Sequence, residues 1–307
     1  MKIKPKDKKE LIIAIKNCIA LNGNKCSLNH IDVSDVTDIS ELFYHSPFDG
    51  DISEWDTSRV KSMTCLFCNS GFNGDLSGWD TSSVEDMSYM FCESNFNGDI
   101  SGWNVSQVKS MKSMFESNFF NKDINNWNVS NVEDMSYMFY KSAFVRDISA
   151  WDTLGVVDMT QMFSHSQFNG NISGWNTSSV VEMSYMFQES QFNGDISQWN
   201  VSNVKSMAYM FSYSQFNSDI SAWNVSNVTN VECMFYDCAF DGDISQWNAL
   251  KVEKLGNILD KCVAPVPYWA KIENKQDRVL AIKSYKTKNL LQSLVKDNCV
   301  NKHIMKL

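Results

Sequence analysis

Residues 79–102 read WDTSSVEDMSYMFCESNFNGDISG, and this pattern recurs along the chain without insertion or deletion. A fixed period of this length is typical of a repeat stack, in which each unit buries its apolar face only against its neighbours. The sequence therefore predicts one elongated domain rather than two globular ones. Nine tryptophans mark the period of 24 residues: Trp55, Trp79, Trp103, Trp127, Trp151, Trp175, Trp199, Trp223 and Trp247.

We number the 24 places of a unit from its tryptophan, which is place 1. Apolar residues recur at places 6, 9, 12 and 13, a spacing that fits one buried stripe along two turns of helix. Ser82 followed by Glu85 has the form of a capping box at the start of such a helix. In the quoted unit the apolar places hold Val84, Met87, Met90 and Phe91.

The other half of a unit, such as residues 100–105, is too short for a second helix and predicts a short strand. Phe96 and the Asn-Gly-Asp at 97–99 predict the turn between helix and strand. Consecutive strands must then run parallel, and such connections are almost always right-handed. We therefore expect an α/β solenoid, a right-handed stack of about ten 24-residue strand-turn-helix units with helical caps.

The unit WNVSNVxxMxxMFxxSxFNGDIS, seen in residues 127–139 and 192–197, resembles the repeat of the BspA-type leucine-rich-repeat surface proteins and the related mycoplasma repeat lipoproteins. The resemblance spans residues 31–260. It implies a leucine-rich-repeat-like stack in which Ile124, Trp127 and Val129 take the buried LxxLxL places. It also implies a non-enzymatic bacterial protein of adhesion, virulence or host contact.

The two ends differ from the repeats, which occupy residues 27–264. Residues 1–26 carry Leu11, Ile15 and Ile19 at helical spacing, so we expect an amphipathic helical cap over about residues 6–21, ended by Gly23. A helix lying on a membrane surface is the alternative.

Residues 265–307 predict a basic helical cap or tail, with a basic secretion or docking module as the alternative. One helix is expected around Trp269, Ile272, Val279, Leu280 and Ile282, and a second around Leu290, Leu291, Leu294 and Val295.

Charge is unevenly distributed along the chain, whose net charge is −9. Residues 1–26 sum to +5, residues 27–250 to −21 and residues 251–307 to +7. An acidic stack repels nucleic acid phosphates, so we expect a protein partner, no nucleic acid and a monomeric chain. No Sec signal or membrane span is predicted, which suggests a cytoplasmic protein or one exported by a signal-less route.

Catalytic and metal-binding patterns are weak in this sequence. The nine cysteines are scattered, which favours free thiols in a reducing compartment, and the CxxC of Cys65 and Cys68 with Cys92 lacks an evident fourth zinc ligand. The four histidines show no pairing with a nucleophile. We therefore predict no enzyme activity, no cofactor and no metal.

A column of acidic and amide residues stands at place 2. Side chains alternate along a strand, so these residues would face away from the buried tryptophan. By the resemblance such positions line the concave surface that binds partners, which makes them our candidate protein-binding site. The alternative is that they only hydrogen-bond along the stack. The column is Asp56, Asp80, Asn104, Asn128, Asp152, Asn176, Asn200 and Asn224.

Two further columns follow from the period. Place 11 carries Tyr89, Tyr137, Tyr185 and Tyr209 on the more exposed side of the predicted helix, as a secondary aromatic patch or as packing between units. The place-21 acids would repel one another unless backbone N–H groups or, alternatively, Ca²⁺ compensate their charge. These acids are Asp51, Asp75, Asp99, Asp123, Asp147, Asp195, Asp219 and Asp243, interrupted by Asn171.

Together these patterns favour a non-enzymatic protein-binding scaffold that uses its concave acidic and amide face. One alternative is a bacterial effector or inhibitor without a signal sequence, acting through its basic terminal segments. A surface adhesin is the other alternative.

Overall fold

The computed structural model describes residues 2–304, with side chains as far as residue 292. Helix α1 spans Lys8–Asn22 and helix α2 spans Lys275–Ile304, and short 3₁₀ turns lie at Ala249–Lys251 and Tyr268–Lys271. Helix α1 lies close to the helix expected over residues 6–21. Gly23 ends it in a left-handed conformation, with φ 80°, and its N–H donates to Ile19 O at 2.8 Å.

The predicted α/β solenoid of strand-turn-helix units is wrong. Between residues 23 and 248 the chain forms turns, and the β-type pairing between neighbouring units consists of isolated parallel bridges such as Asp86 with Ser110. The leucine-rich-repeat-like architecture fails with it, because that architecture needs a strand in every unit. The capping box is also wrong, since Ser82 donates its N–H to Asp80 and Glu85 accepts from Lys61.

The helical spacing of the apolar places arises from consecutive reverse turns. Met90 N–H donates to Met87 O at 3.2 Å, and Ser94 N–H donates to Phe91 O at 3.3 Å. The third residue of each turn is left-handed, as in a type II turn. These residues are Tyr89, with φ 59°, and Glu93, with φ 52°. Two such non-glycine residues, at places 11 and 15, recur in each of ten units with φ between 51° and 62°.

Main-chain hydrogen bonds join each unit to the next. The N–H groups of places 9, 11, 13 and 15 donate to the carbonyls of places 8, 10, 12 and 14 in the following unit, at 2.7–3.1 Å. For example, Met63 donates to Asp86 and Cys65 to Ser88. The four bonds recur at all nine junctions between residues 31 and 260, so they fix the register of the stack.

Aromatic columns fill the core along the stack. The place-13 phenylalanines stack on one another with ring centroids 5.5–5.8 Å apart, and those of place 18 at 6.2–6.5 Å. Each repeat tryptophan donates its Nε1 proton to the carbonyl of the residue 27 positions earlier, as Trp151 does to Ile124 O at 3.0 Å. Val84, Met87, Met90 and Phe91 are fully buried, as their spacing predicts.

Different segments close the two ends of the stack. Helix α1 buries Leu11 and Ile15 against the first unit, and Lys8 Nζ donates to Asp38 at 3.0 Å and to the Ser40 hydroxyl. At the other end Trp269 is fully buried.

The C-terminal segment also departs from its prediction. Trp269 and Ile272 precede α2, and residues 279–291 lie in that one helix rather than in two. The side chains of Leu294 and Val295 lie outside the described residues. Buried Arg278 donates to Val252 O at 2.7 Å and to Ile272 O at 2.8 Å, which ties α2 to the last unit. Within the described residues, neither helix is long and apolar enough to cross a membrane.

Replacing a left-handed residue tests this backbone. Ser117 has φ 51° and makes only a main-chain bond, so Ser117→Gly relieves the Cβ clash and raises the free energy of unfolding by about 0.5–1 kcal/mol. Ser117→Val lowers it by about 1 kcal/mol or more. Chemical unfolding followed by tryptophan fluorescence measures both changes.

The matched control is Glu116→Gly, one residue earlier, where φ is not left-handed. There glycine destabilises by about 0.5–1 kcal/mol through its backbone entropy. Equal effects of glycine at the two positions contradict the turn geometry.

Candidate protein-binding surfaces

The place-2 column is exposed, but its side chains also build the turns of their own units. All eight are exposed, and each Oδ1 accepts the N–H of the residue two positions later at 2.9–3.2 Å. This is the Asx turn, in which an Asp or Asn side chain caps the backbone that follows it. The eight residues are Asp56, Asp80, Asn104, Asn128, Asp152, Asn176, Asn200 and Asn224.

These bonds stay within a unit, whereas the sequence suggested bonds along the stack. A concave strand face is also missing, because the described units contain no strand. The column keeps one free oxygen or amide per unit, so it can still contact a partner. Its role as a binding site stays a prediction.

The place-21 acids are compensated by backbone N–H groups. Each Oδ1 accepts the N–H of the residue two positions later at 2.8–3.1 Å, and Asn171 makes the same bond. In six of these acids this N–H, followed by the serine side chain beside it, lowers the pKa of the carboxyl. The pKa is lowered for Asp51, Asp75, Asp99, Asp147, Asp195 and Asp219.

The side chains considered as metal ligands are not grouped into a metal site in the described part of the chain. Among the described side chains, no group of three His, Cys, Asp or Glu residues is placed to hold a metal ion. Cys65, Cys68 and Cys92 are free thiols. Burial raises the pKa of Cys65 to about 11, whereas the Cys92 side chain lowers that of Cys68 through a hydrogen bond.

Of the four tyrosines predicted at place 11, the structure brings two together. Tyr185 and Tyr209 stack with ring centroids 4.7 Å apart and planes 3° apart. Ser113 separates Tyr89 from Tyr137, and Gln161 separates Tyr137 from Tyr185 in the column. All four tyrosines are half-buried. These tyrosines are themselves the left-handed residues of turns and do not belong to a helix.

The pKa of the phenol is raised in three of these tyrosines. Burial raises the pKa of Tyr137 and Tyr185. A hydrogen bond with Cys233, together with burial, raises the pKa of Tyr209 to about 12. These three phenols are therefore hydrogen-bond donors at neutral pH.

Further aromatic residues from places 14 and 15 extend this set, and sequence reasoning missed them. Tyr140 lies 5.8 Å from Tyr137 and 5.5 Å from His165, and Tyr213 lies 5.3 Å from Tyr236. The 24-residue register contains the signal, since the same two places repeat in every unit. We call the whole set the tyrosine face: Tyr89, Tyr137, Tyr140, His165, Tyr185, Tyr209, Tyr213 and Tyr236.

The lowered carboxyl pKa values predict how stability depends on pH. A folded-state pKa below the unfolded value of about 3.9 contributes stability that is fully present above that value and is lost as pH falls through the folded pKa. We expect a constant melting temperature between pH 7 and about 5 and a steep fall below about 4, measured by circular dichroism.

Asp99→Asn is the control, because asparagine keeps the turn bond, as Asn171 does, and removes one titrating group. Its melting temperature should fall less between pH 5 and 3 than that of the parent chain. A parent chain as stable at pH 3 as at pH 7 contradicts the assignment.

Comparison with known proteins places this chain in a family. Its sequence matches the family model described as Mycoplasma protein of unknown function, DUF285, in four overlapping segments: residues 13–119, 71–169, 117–211 and 159–266. No curated protein and no solved structure matches the chain. The match confirms the mycoplasma part of the resemblance, and it carries no BspA or leucine-rich-repeat name. Since the four segments together span residues 13–266, the chain belongs to the Mycoplasma family of unknown function DUF285.

Proposed function

We propose that the chain is a non-enzymatic protein-binding scaffold whose main contact surface is the tyrosine face. The observation that carries this proposal is the stack of Tyr185 on Tyr209, two half-buried parallel rings in adjacent units. Tyrosine is enriched at protein interfaces, where its ring supplies contact area and its hydroxyl a hydrogen bond. Rings already held by their neighbours lose little conformational entropy on binding.

The division of the unit into constant and variable places supports the same proposal. Core places keep tryptophan, methionine and phenylalanine in nearly every unit, while place 11 changes from Tyr89 to Ser113 and from Gln161 to Tyr185. Each place-11 residue has the same left-handed backbone conformation, so these side chains leave their units at equivalent positions. The stack therefore presents, at one fixed position, a side chain that varies among the repeats, which suits recognition of an extended partner surface.

The place-2 column is the second part of the proposed surface. Its Oδ1 atoms are engaged in Asx turns, so in each unit only the second side-chain oxygen or the amide nitrogen is left to contact a partner. The effector and adhesin alternatives stay predictions.

A pull-down from a lysate of the producing organism tests the proposal. Tyr185→Gln with Tyr209→Gln places at both positions the residue that Gln161 already provides at place 11, so the fold is kept. We expect a specifically captured protein to be lost or reduced about tenfold or more, because stacked aromatics act as interface hot spots.

Asn128→Asp with Asn176→Asp is the control, since aspartate preserves the Asx turns of the place-2 column, as Asp152 shows. This variant should retain the partner. Unchanged capture by the tyrosine variant, with an unchanged melting curve, counts against the tyrosine face. Loss in the control variant alone moves the site to the place-2 column.

A further inference from the structure

One phenylalanine of this chain lies outside the core. Eighteen of the nineteen phenylalanines occupy the two buried columns at places 13 and 18, whereas Phe119, at place 17, is 71% exposed. The other units up to residue 246 carry proline, glycine, asparagine, glutamine or alanine at this place. An exposed phenyl ring keeps apolar area in water that a bound partner would cover.

Three more departures from the repeat pattern occur beside it, within the same two units. Val145 replaces the asparagine or aspartate of place 19, and it is 47% exposed. Lys122 and Arg146 replace the glycine or serine of place 20. Phe119, Lys122, Val145 and Arg146 together form what we call the Phe119 patch.

The two cations occupy their place against a steric preference. At the glycines of place 20, a Cβ atom would lie 2.6–2.8 Å from the ring of the place-18 phenylalanine, so the ring must shift to admit a side chain. Lys122 and Arg146 both carry that Cβ. Residues that break a local packing rule without a packing gain point to a functional role.

Arg146 is held in position for a ligand. Its Nε donates to Asn121 O at 2.9 Å, and the N–H of Val145 donates to Asn121 Oδ1 at 3.1 Å. In the part of the chain that the structure describes, neither terminal nitrogen of the guanidinium makes a hydrogen bond or an ion pair. A fixed guanidinium with two free donors matches the geometry of a carboxylate.

An open cavity of about 470 Å³ lies at this site. Its two carboxylates serve the turns, since Asp123 accepts the N–H of Asn125 at 3.0 Å and Asp147 accepts that of Ser149 at 2.9 Å. Asp147 also accepts from the Asn125 amide at 3.1 Å. The free donors that a ligand would meet are those of Lys122 and Arg146, beside the two turn carboxylates. The lining residues are Asn121, Lys122, Asp123, Asn125, Arg146 and Asp147.

We propose that the Phe119 patch docks a segment of a partner protein in which a carboxylate adjoins an aromatic or aliphatic side chain. The carboxylate pairs with Arg146 and Lys122, and the apolar side chain covers Phe119 and Val145. Lys122 and Arg146 place two positive charges where the other units up to residue 246 carry only glycine or serine, so they offer a carboxylate a local partner that those units lack. The inference rests on the proposed function only in that the partner is a protein.

Selection from a random peptide display library against the purified full-length chain tests the proposal. We expect enriched peptides that carry aspartate or glutamate beside phenylalanine, leucine or a similar apolar residue. Synthetic copies are then measured by fluorescence anisotropy. Phe119→Gln and Arg146→Gly each restore the residue that other units carry, and each should weaken binding by about tenfold or more.

Arg59→Ala is the matched control, because Arg59 is a similarly exposed arginine of the stack that pairs with Asp35. It should bind the peptides as the parent chain does. The tyrosine variant should also bind them, so failure of the tyrosine face and failure of the patch are told apart. No enrichment, enrichment of basic peptides, or equal binding by Phe119→Gln and Arg146→Gly overturns the proposal.

Discussion

The four main-chain hydrogen bonds that join each unit to the next are the constraint on which this structure depends. They form because the left-handed residues at places 11 and 15 orient the N–H groups of places 9, 11, 13 and 15 toward the following unit. A left-handed conformation costs an ordinary residue about 1 kcal/mol, and each unit contains two of them. Packing of the aromatic columns and saturation of the peptide groups offset this cost. Any insertion would break the register of four bonds at once, which explains why the period stays at 24 residues.

The period, the core and the turn carboxylates could be predicted from the sequence, because they depend on spacing and on elementary chemistry. Val84, Met87 and Phe91 are buried whichever backbone carries them, and Asp99 needs a donor wherever it stands. The secondary structure could not be predicted in the same way. Apolar residues three positions apart describe a helical stripe and a run of reverse turns equally well. A left-handed conformation can usually be predicted from a glycine or an asparagine, whereas a tyrosine such as Tyr89 does not predict one.

The same reasoning separates structural from functional polar residues. Asp and Asn at places 2 and 21 look like binding ladders in the sequence, yet their Oδ1 atoms cap the following turns. Their recurrence therefore has a structural cause that any repeat of this type shares. Side chains that vary at a fixed place have no such cause. Tyr185 with Tyr209, and Phe119 with Arg146, stand at variable places, so these positions distinguish one repeat protein of this kind from another.

The four bonds made by the N–H groups of places 9, 11, 13 and 15 all run in one direction, so the two ends of the stack are chemically unlike. Among the described residues the first unit is left with the carbonyls of places 8, 10, 12 and 14, and the last unit with the N–H groups of Leu255, Asn257, Leu259 and Lys261. Carbonyl ends carry partial negative charge, which the positive segment 1–26 complements, and Lys8 reaches across to Asp38 and Ser40. Helix α1 buries Leu11 and Ile15 at this end, where a second copy would have to pair its N–H row with these carbonyls. Continued growth of the stack would require that pairing, head to tail. The N-terminal helix thus closes the core at the end whose carbonyl row complements the N–H row of the opposite end.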